Sequence, residues 1–212
     1  MSNIAVIGGT GYAGRHIVAE AAERGHTVLS VSRKVAADRI PGVVYVEGTI
    51  LDVPSLLAEL VGVDVVVVAV SPRGEMAGLV RPNVEALNAT LPEDVRLGVI
   101  GGAGGSLVAP GGPRVVDAGF PEEFKAEALE AIGVLEDLQT EQTGRDWFFI
   151  HPAGGFGAWN PGERTGVYRD GGDVIVTDAE GQSFISGADL GVAVLDEIEQ
   201  PKHRRERFTV GY

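Results

Sequence analysis

The segment Gly8-Gly9-Thr10-Gly11-Tyr12-Ala13-Gly14 limits what this chain can fold into more than any other stretch does. It follows Asn3–Ile7, an apolar run that reads as a β-strand. It opens Tyr12–Arg24, where Ala13, Ile17 and Ala21 share one helical face and Gly25 stops the helix. Gly8, Gly11 and Gly14 satisfy G-x-x-G-x-x-G; Gly9, Gly11 and Gly14 satisfy G-x-G-x-x-G. In either spacing one glycine makes the tight turn, one lets backbone approach a pyrophosphate, and one lets the helix pack close to the strand. The helix N-terminus then presents free N–H groups and a partial positive charge to phosphates. Strand, loop and helix in this order make a dinucleotide site, and the absence of Lys-Ser or Lys-Thr after the glycines excludes a Walker loop.

The rest of the chain repeats the strand–helix alternation. Strands are expected over Thr27–Val31, Val43–Val46, Asp64–Val70, Val95–Ile100 and Trp147–Ile150. Helices are expected over Pro54–Leu60, with Asp52 as its cap, over Pro82–Thr90, and from Glu122 to Gln142. Repeated βα units predict an α/β fold, a Rossmann-like doubly wound parallel sheet. Arg164–Ser186 is expected to hold two or three short strands separated by Asp170-Gly171-Gly172-Asp173 and Glu180-Gly181. Residues 160–186 then form a small C-terminal substrate lobe beyond the strand ends. A helix starting at Ser186-Gly187-Ala188-Asp189 and a strand over Arg207–Val210 close the chain. With 212 residues, 44% of them apolar, the whole is expected to be one domain.

Gly101–Gly119 is glycine-rich, carries Pro110 and Pro113, and follows the fifth strand. Loops of that length are commonly functional, and this one is expected to close over the bound ligand as a gate.

A net charge of −13 argues against a nucleic-acid surface or an anionic membrane as partner. The absence of cysteine excludes disulfides, thiolate catalysis and cysteine-ligated metals. His16, His26 and His203 lack partners at metal-ligand spacing, so no metal is expected. With no basic segment before the first strand and no long apolar run, the chain reads as cytoplasmic. A monomer or a homodimer is equally compatible with it.

The second strand ends Val31-Ser32-Arg33-Lys34. An NAD-selective site ordinarily places Asp or Glu there for the ribose 2′-hydroxyl. Two cations and a hydroxyl in that place suit the 2′-phosphate of NADPH, which an arginine fork can grip with two hydrogen bonds. NADPH is the expected cofactor, with NADH an alternative.

With these residues in view, the chain resembles a known group. Ile7-Gly8-Gly9-Thr10-Gly11, Ser32-Arg33, Ile100-Gly101-Gly102-Ala103-Gly104, Phe120-Pro121-Glu122-Glu123-Phe124-Lys125 and His151-Pro152-Ala153 look like the NADH-flavin reductase group of atypical short-chain dehydrogenase/reductases. The chain is also similar to flavin reductase/biliverdin-IXβ reductase and, more distantly, to NmrA-like NAD(P)H-binding proteins. The resemblance spans essentially the whole chain, including Pro161–Gly166 and Arg207–Val210. It implies that Gly8, Thr10, Gly11, Tyr12 and Ala13 hold the pyrophosphate and that Ser32 and Arg33 hold the 2′-phosphate. It implies that Thr49 and Ile50 flank the adenine, although the group more often has Asp at the position of Thr49. Ala69 and Val70 would line the ribose, and Gly102, Ala103, Pro152 and Ala153 would bracket the nicotinamide.

The chemistry open to such a site is narrow. The Tyr-x-x-x-Lys pair of ordinary short-chain dehydrogenases is absent: Tyr12 is followed four residues on by His16, Tyr45 by Thr49, Tyr168 by Gly172, and Tyr212 ends the sequence. Ala103 stands where their serine would be. Reduction of a flavin, quinone or similar planar acceptor needs no such machinery, because hydride passes between rings and solvent can supply the proton. Lys125 is the one candidate catalytic side chain, and Phe124, Lys125 and Phe156 are the candidate acceptor contacts, with Trp159 a further stacking surface. His151 reads as a core or supporting histidine. The alternative to a reductase is a non-catalytic NAD(P)H-binding redox sensor.

Overall fold

The computed structural model describes residues 1–141 and 143–212. Strands β1 (Asn3–Ile7), β2 (Thr27–Ser32), β3 (Val44–Glu47), β4 (Val65–Val68), β5 (Arg96–Ile100), β6 (Trp147–Pro152), β7 (Arg169–Asp170) and β8 (Glu206–Gly211) form one sheet in the order β3-β2-β1-β4-β5-β6-β8-β7. Every pairing is parallel except β7 with β8. Helices α1 (Tyr12–Glu23), α2 (Val53–Glu59), α3 (Val80–Thr90), α4 (Glu122–Thr140) and α5 (Gly187–Glu199) cover it. This is the doubly wound architecture the strand–helix alternation predicts, and the expected end of α4 at Gln142 lies outside the described residues.

The continuous apolar runs follow from a sheet buried on both sides. Successive side chains point to opposite faces. Ile4 and Val6 therefore pack with Ile17, Val18 and Ala21 of α1 and Leu190, Ala193 and Val194 of α5. Ala5 and Ile7 pack on the other face with Leu56 of α2, Val84 and Leu87 of α3, and Leu135 and Leu138 of α4. The same alternation divides Phe148 and Ile150 from Trp147 and Phe149 along β6. Because β1 through β6 run parallel, all six carboxyl ends emerge on one edge. The chain winds outward in opposite directions from β1 and β4, and the crevice at that reversal is where such sheets bind ligands.

The lobe departs from expectation. Of the two or three strands expected within Arg164–Ser186, β7 alone joins the sheet among the described residues, with a single parallel bridge between Leu107 and Val174. Side chains satisfy the lobe's backbone instead. Asp178 Oδ1 accepts from the amides of Glu180 and Gln182, and Ser183 Oγ donates to the Val176 carbonyl. The Gly101–Gly119 segment is likewise built rather than open. Val108 N donates to the Pro113 carbonyl, Leu107 N to Asp173 and Ile175 N to Leu107, so a small hairpin is stitched to the lobe. Val116 is buried beneath it against Ala128 and Ile132 of α4. A gate here cannot move as a free loop; it would have to carry the lobe segment with it.

Three contacts fasten the lobe to the sheet layer. Arg164 Nη2 grips both carboxylate oxygens of buried Glu20 at 2.9 and 3.1 Å. The Tyr12 hydroxyl donates to the Pro161 carbonyl at 3.1 Å and accepts from Gly187 N. Asp189, fully buried in the first turn of α5, accepts from the amides of Thr165 and Gly166 and from the hydroxyls of Thr165 and Tyr212. Burial pushes the Asp189 carboxyl up, but the hydrogen bonds from Tyr212, Thr165 and Gly166 outweigh it and hold its pKa below the ordinary value. The stability this carboxylate contributes is therefore present above the unfolded-state pKa near 4 and is lost as pH falls through the lower folded value. Asp189→Asn should cost about 3 kcal/mol at pH 7, the scale for leaving charge-dependent buried hydrogen bonds unmade. The gap from wild type, read by urea unfolding, should close in strong acid.

Candidate functional site

The glycine loop turns at the carboxyl end of β1. Gly8 adopts φ +85°, a conformation glycine enters without strain. Its amide and that of Gly9 both donate to the Val31 carbonyl at 2.8 and 3.1 Å, which ties the loop to the end of β2. The glycines then divide by task. A Cβ on Gly14 would stand 2.1 Å from the Gly8 carbonyl oxygen, and one on Gly9 would stand 2.2 Å from Ser30 Oγ. These two are small because protein already fills their space. A Cβ on Gly11 would stand 3.1 Å from the Gly8 carbonyl oxygen and 3.9 Å from that of Ala69, crowded rather than overlapping, and Gly11 is exposed with φ −69°. Its smallness serves what lies outside the protein.

Gly11 is the N-cap of α1, and no side chain accepts from the helix's first turn, which also holds no acidic residue. The amides there face outward with their dipole uncompensated, a ready anion site. A close-packed turn, an open Gly11 and an uncapped helix fit a dinucleotide pyrophosphate. Thr10 is exposed beside them, whereas Tyr12 spends its hydroxyl on Pro161 and Gly187 and contributes backbone and ring only.

The other expected contacts lie on the same edge. Ala69 N donates to the Ile7 carbonyl, and Ala69 O with Val70 Cγ2 closes over Gly8. Arg33 leaves the end of β2 with its side chain 60% exposed. Ser32 is buried, and its hydroxyl donates to the Lys34 carbonyl at 2.8 Å. Thr49 borders a recess shared with Glu47, Asp52 and Ser55 after β3. Ile50 corrects the expectation: the whole residue is 1% exposed and belongs to the core, which leaves it no surface with which to flank a base. Pro152 ends β6, and Ala153 is buried behind it.

At the ends of β5 and β6 the turn Gly102–Ser106 is held from below. His151 Nδ1 lies 2.7 Å from the Gly102 carbonyl oxygen. A carbonyl can only accept, so the proton sits on Nδ1, and Nε2 is left bare and buried without a partner. Arg207 Nη1 donates to the Gly105 carbonyl at 2.8 Å while its Nε pairs with Asp173. The expected acceptor contacts are dispersed. Phe124, 43% exposed, lies under the Arg73 guanidinium at 5.9 Å. Phe156 packs on Tyr12 at 5.1 Å between ring centroids, and Trp159 stands 75% exposed on the lobe. Lys125 Nζ lies 3.7 Å from Glu122, one turn back on α4.

Sequence reasoning missed the segment after β4. Ser71 Oγ and Arg73 Nε donate to Glu127 of α4 at 2.7 Å each, and the amides of Val80 and Arg81 donate to Glu130. Glu75 lies 3.2 Å from Arg33. Alternation of glutamates along α4 with cations after β4 was the available signal, but exposed charges carry no periodicity that names their partners.

Burial pushes the His151 imidazole down to about 4, aided by the Arg207 cation and opposed by the hydrogen bond to Gly102. As pH falls from the unfolded value near 6.5 toward 4, the unfolded chain takes up a proton that the folded chain refuses. Stability should drop by up to about 3 kcal/mol across that window. His151→Asn keeps a donor for Gly102 without titrating there. Urea midpoints at pH 7 and pH 4.5 should differ less for the variant than for wild type.

A family model described as NAD(P)H-binding matches residues 8–201. YwnB of Bacillus subtilis strain 168, an uncharacterized protein, is 38% identical over 215 residues, covering 98% of this chain and 97% of its own. A solved structure named as a "putative exported protein" from Burkholderia pseudomallei is 39% identical with a TM-score of 0.87, both chains being covered to 100%. One named as a "putative NADH-flavin reductase" from Streptococcus pneumoniae TIGR4 is 30% identical with a TM-score of 0.87, covering 100% of this chain and 99% of that one. No helix among the described residues is long and apolar enough to cross a membrane, and no group of three potential metal ligands occurs among them. The likeness to atypical short-chain dehydrogenase/reductases thus extends along the full chain, and the protein belongs to the NAD(P)H-binding family.

Proposed function

We propose that this protein is a cytoplasmic NADPH-dependent reductase that delivers hydride to a flavin, quinone or similar planar acceptor. One observation carries the choice of acceptor: near the ends of β5 and β6, His151 and Lys125 are already engaged, and the Ser106 hydroxyl, which has no partner, is buried. His151 spends its only N–H on Gly102, and its pKa near 4 leaves it neutral at physiological pH. Lys125 stands beside Glu122. None of these is poised as a proton donor, so the chemistry best suited to the site is one that needs positioning alone. The reduced nicotinamide, when bound, supplies the hydride. The protein's share is to seat the pyrophosphate on the uncapped first turn of α1, to hold the 2′-phosphate with Arg33, and to keep the Gly102–Ser106 turn rigid through His151 and Arg207. Its exposed rings, Phe124 and Trp159, offer faces on which a planar acceptor can stack. The relative named as an NADH-flavin reductase supports this reading.

The decisive assay is NADPH oxidation with FMN, riboflavin and a quinone in turn. Turnover with at least one is expected. Tight NADPH binding without turnover on any acceptor would identify a redox sensor instead. Arg33→Ala should weaken NADPH by about 1.5–3 kcal/mol, the value of a charged hydrogen bond, and change NADH little; equal losses would remove Arg33 from the 2′-phosphate site. Gly11→Val should abolish binding of both cofactors at a modest cost in melting temperature, because its Cβ crowds the Gly8 carbonyl oxygen at 3.1 Å and the rest of the side chain fills ligand space. Gly14→Val should instead unfold the loop, since its side chain collides with backbone. Lys125→Ala should lower turnover by less than about tenfold, well short of the 10²–10⁴ expected of a general acid.

A further inference from the structure

The end of β2 lacks the acid that usually takes a ribose 2′-hydroxyl, yet a carboxylate is present at the same spot from another strand. Glu75 lies in the short turn Gly74–Met76 after β4, and its Oε2 is 3.2 Å from Arg33 Nη1. β2 and β4 flank β1 on either side. The pair therefore bridges over the carboxyl end of β1, beside the glycine loop and the Ala69 carbonyl and Val70 side chain that close over Gly8. Resting on the assignment of Arg33 to the 2′-phosphate, we propose that Glu75 is the second cofactor-specificity residue. It supplies the carboxylate that β2 lacks, so the site takes NADH through Glu75 and NADPH through Arg33.

The segment that carries Glu75 is held in place. Met76 is buried in the core, Ser71 and Arg73 are fixed on Glu127, and the amides of Gly78, Val80 and Arg81 donate to Glu130. The backbone at Glu75 thus has a defined position, while its side chain, 92% exposed, is free to turn. An exposed pair of this kind is weak in itself, so a ligand can part it at little cost. With NADH the 2′-hydroxyl donates to Glu75, and the contact with Arg33 persists. With NADPH the phosphate takes Arg33 and faces a like charge on Glu75 until that side chain swings outward. Glu75 therefore favours NADH and penalises NADPH, against the bias set by Arg33.

The test titrates NADPH and NADH into wild type, Glu75→Ala and Arg33→Ala, at low and high salt. Removing an exposed side chain leaves the fold intact, which a melting curve checks. Glu75→Ala should tighten NADPH and weaken NADH, each by about fivefold, the scale of one hydrogen bond or one screened charge contact. The ratio then moves by more than tenfold toward NADPH. The NADPH gain should shrink at high salt, because it is a relief of repulsion. Unchanged affinities, or equal changes for both cofactors, would overturn the role of Glu75. Arg33→Ala separates the two assignments: a selective NADPH loss there with no shift in Glu75→Ala defeats the Glu75 inference alone. No selective loss in Arg33→Ala defeats the 2′-phosphate assignment on which it stands.

Discussion

The close approach of α1 to the turn after β1 is the contact on which the rest of the structure depends. Gly14 packs so tightly on the Gly8 carbonyl that a single methyl group would overlap it, and Gly8 must enter positive φ to place that carbonyl there. This contact aims the uncapped end of α1 at the edge where seven parallel strands finish. A helix displaced by the width of one side chain would point its free amides past the crevice. The anion site is thus a packing result first and an electrostatic one second.

The lobe depends on the same helix. Tyr12 opens α1 and bridges to Pro161 and Gly187, while Glu20, further along, receives Arg164. Asp189 draws the Thr165–Gly166 backbone onto the start of α5. Because α1 and α5 cover one face of the sheet together, the lobe is registered to the element whose uncapped N-terminus is the proposed pyrophosphate seat. The hairpin after β5 is then bound to the lobe through Leu107. Any opening of the acceptor side must move hairpin and lobe as one unit, a larger and slower motion than a loop flap.

Much of this was legible in the sequence where a local rule applied. The glycine spacing after a clean strand, the Asp52 cap and the helix start at Ser186 each have one physical reading and appear as expected, with Ser186 Oγ accepting from Asp189 N at 3.0 Å; the strand expected over Asp64–Val70 forms over Val65–Val68. The lobe was misread because turn residues at regular spacing suggested strands, whereas its backbone is satisfied by Asp178, Ser183 and Asp189 side chains. The resemblance implies Ile50 beside the base, but a β-branched apolar side chain at that point gains more by joining the core.

The sequence alone determined the strand–helix alternation of a parallel sheet, the glycine turn after β1 and the cationic end of β2, because these follow from residues that are neighbours along the chain. The tertiary structure decided which side chains surround them. His151 meets Gly102 across 49 residues, Arg33 meets Glu75 across 42, and Tyr12 meets Gly187 across 175. None of these pairings obeys a period, since each is set by which strand ends the fold brings to one edge. That is why the glycine turn could be read from seven consecutive residues, while the side chains around it appeared only once the sheet was assembled.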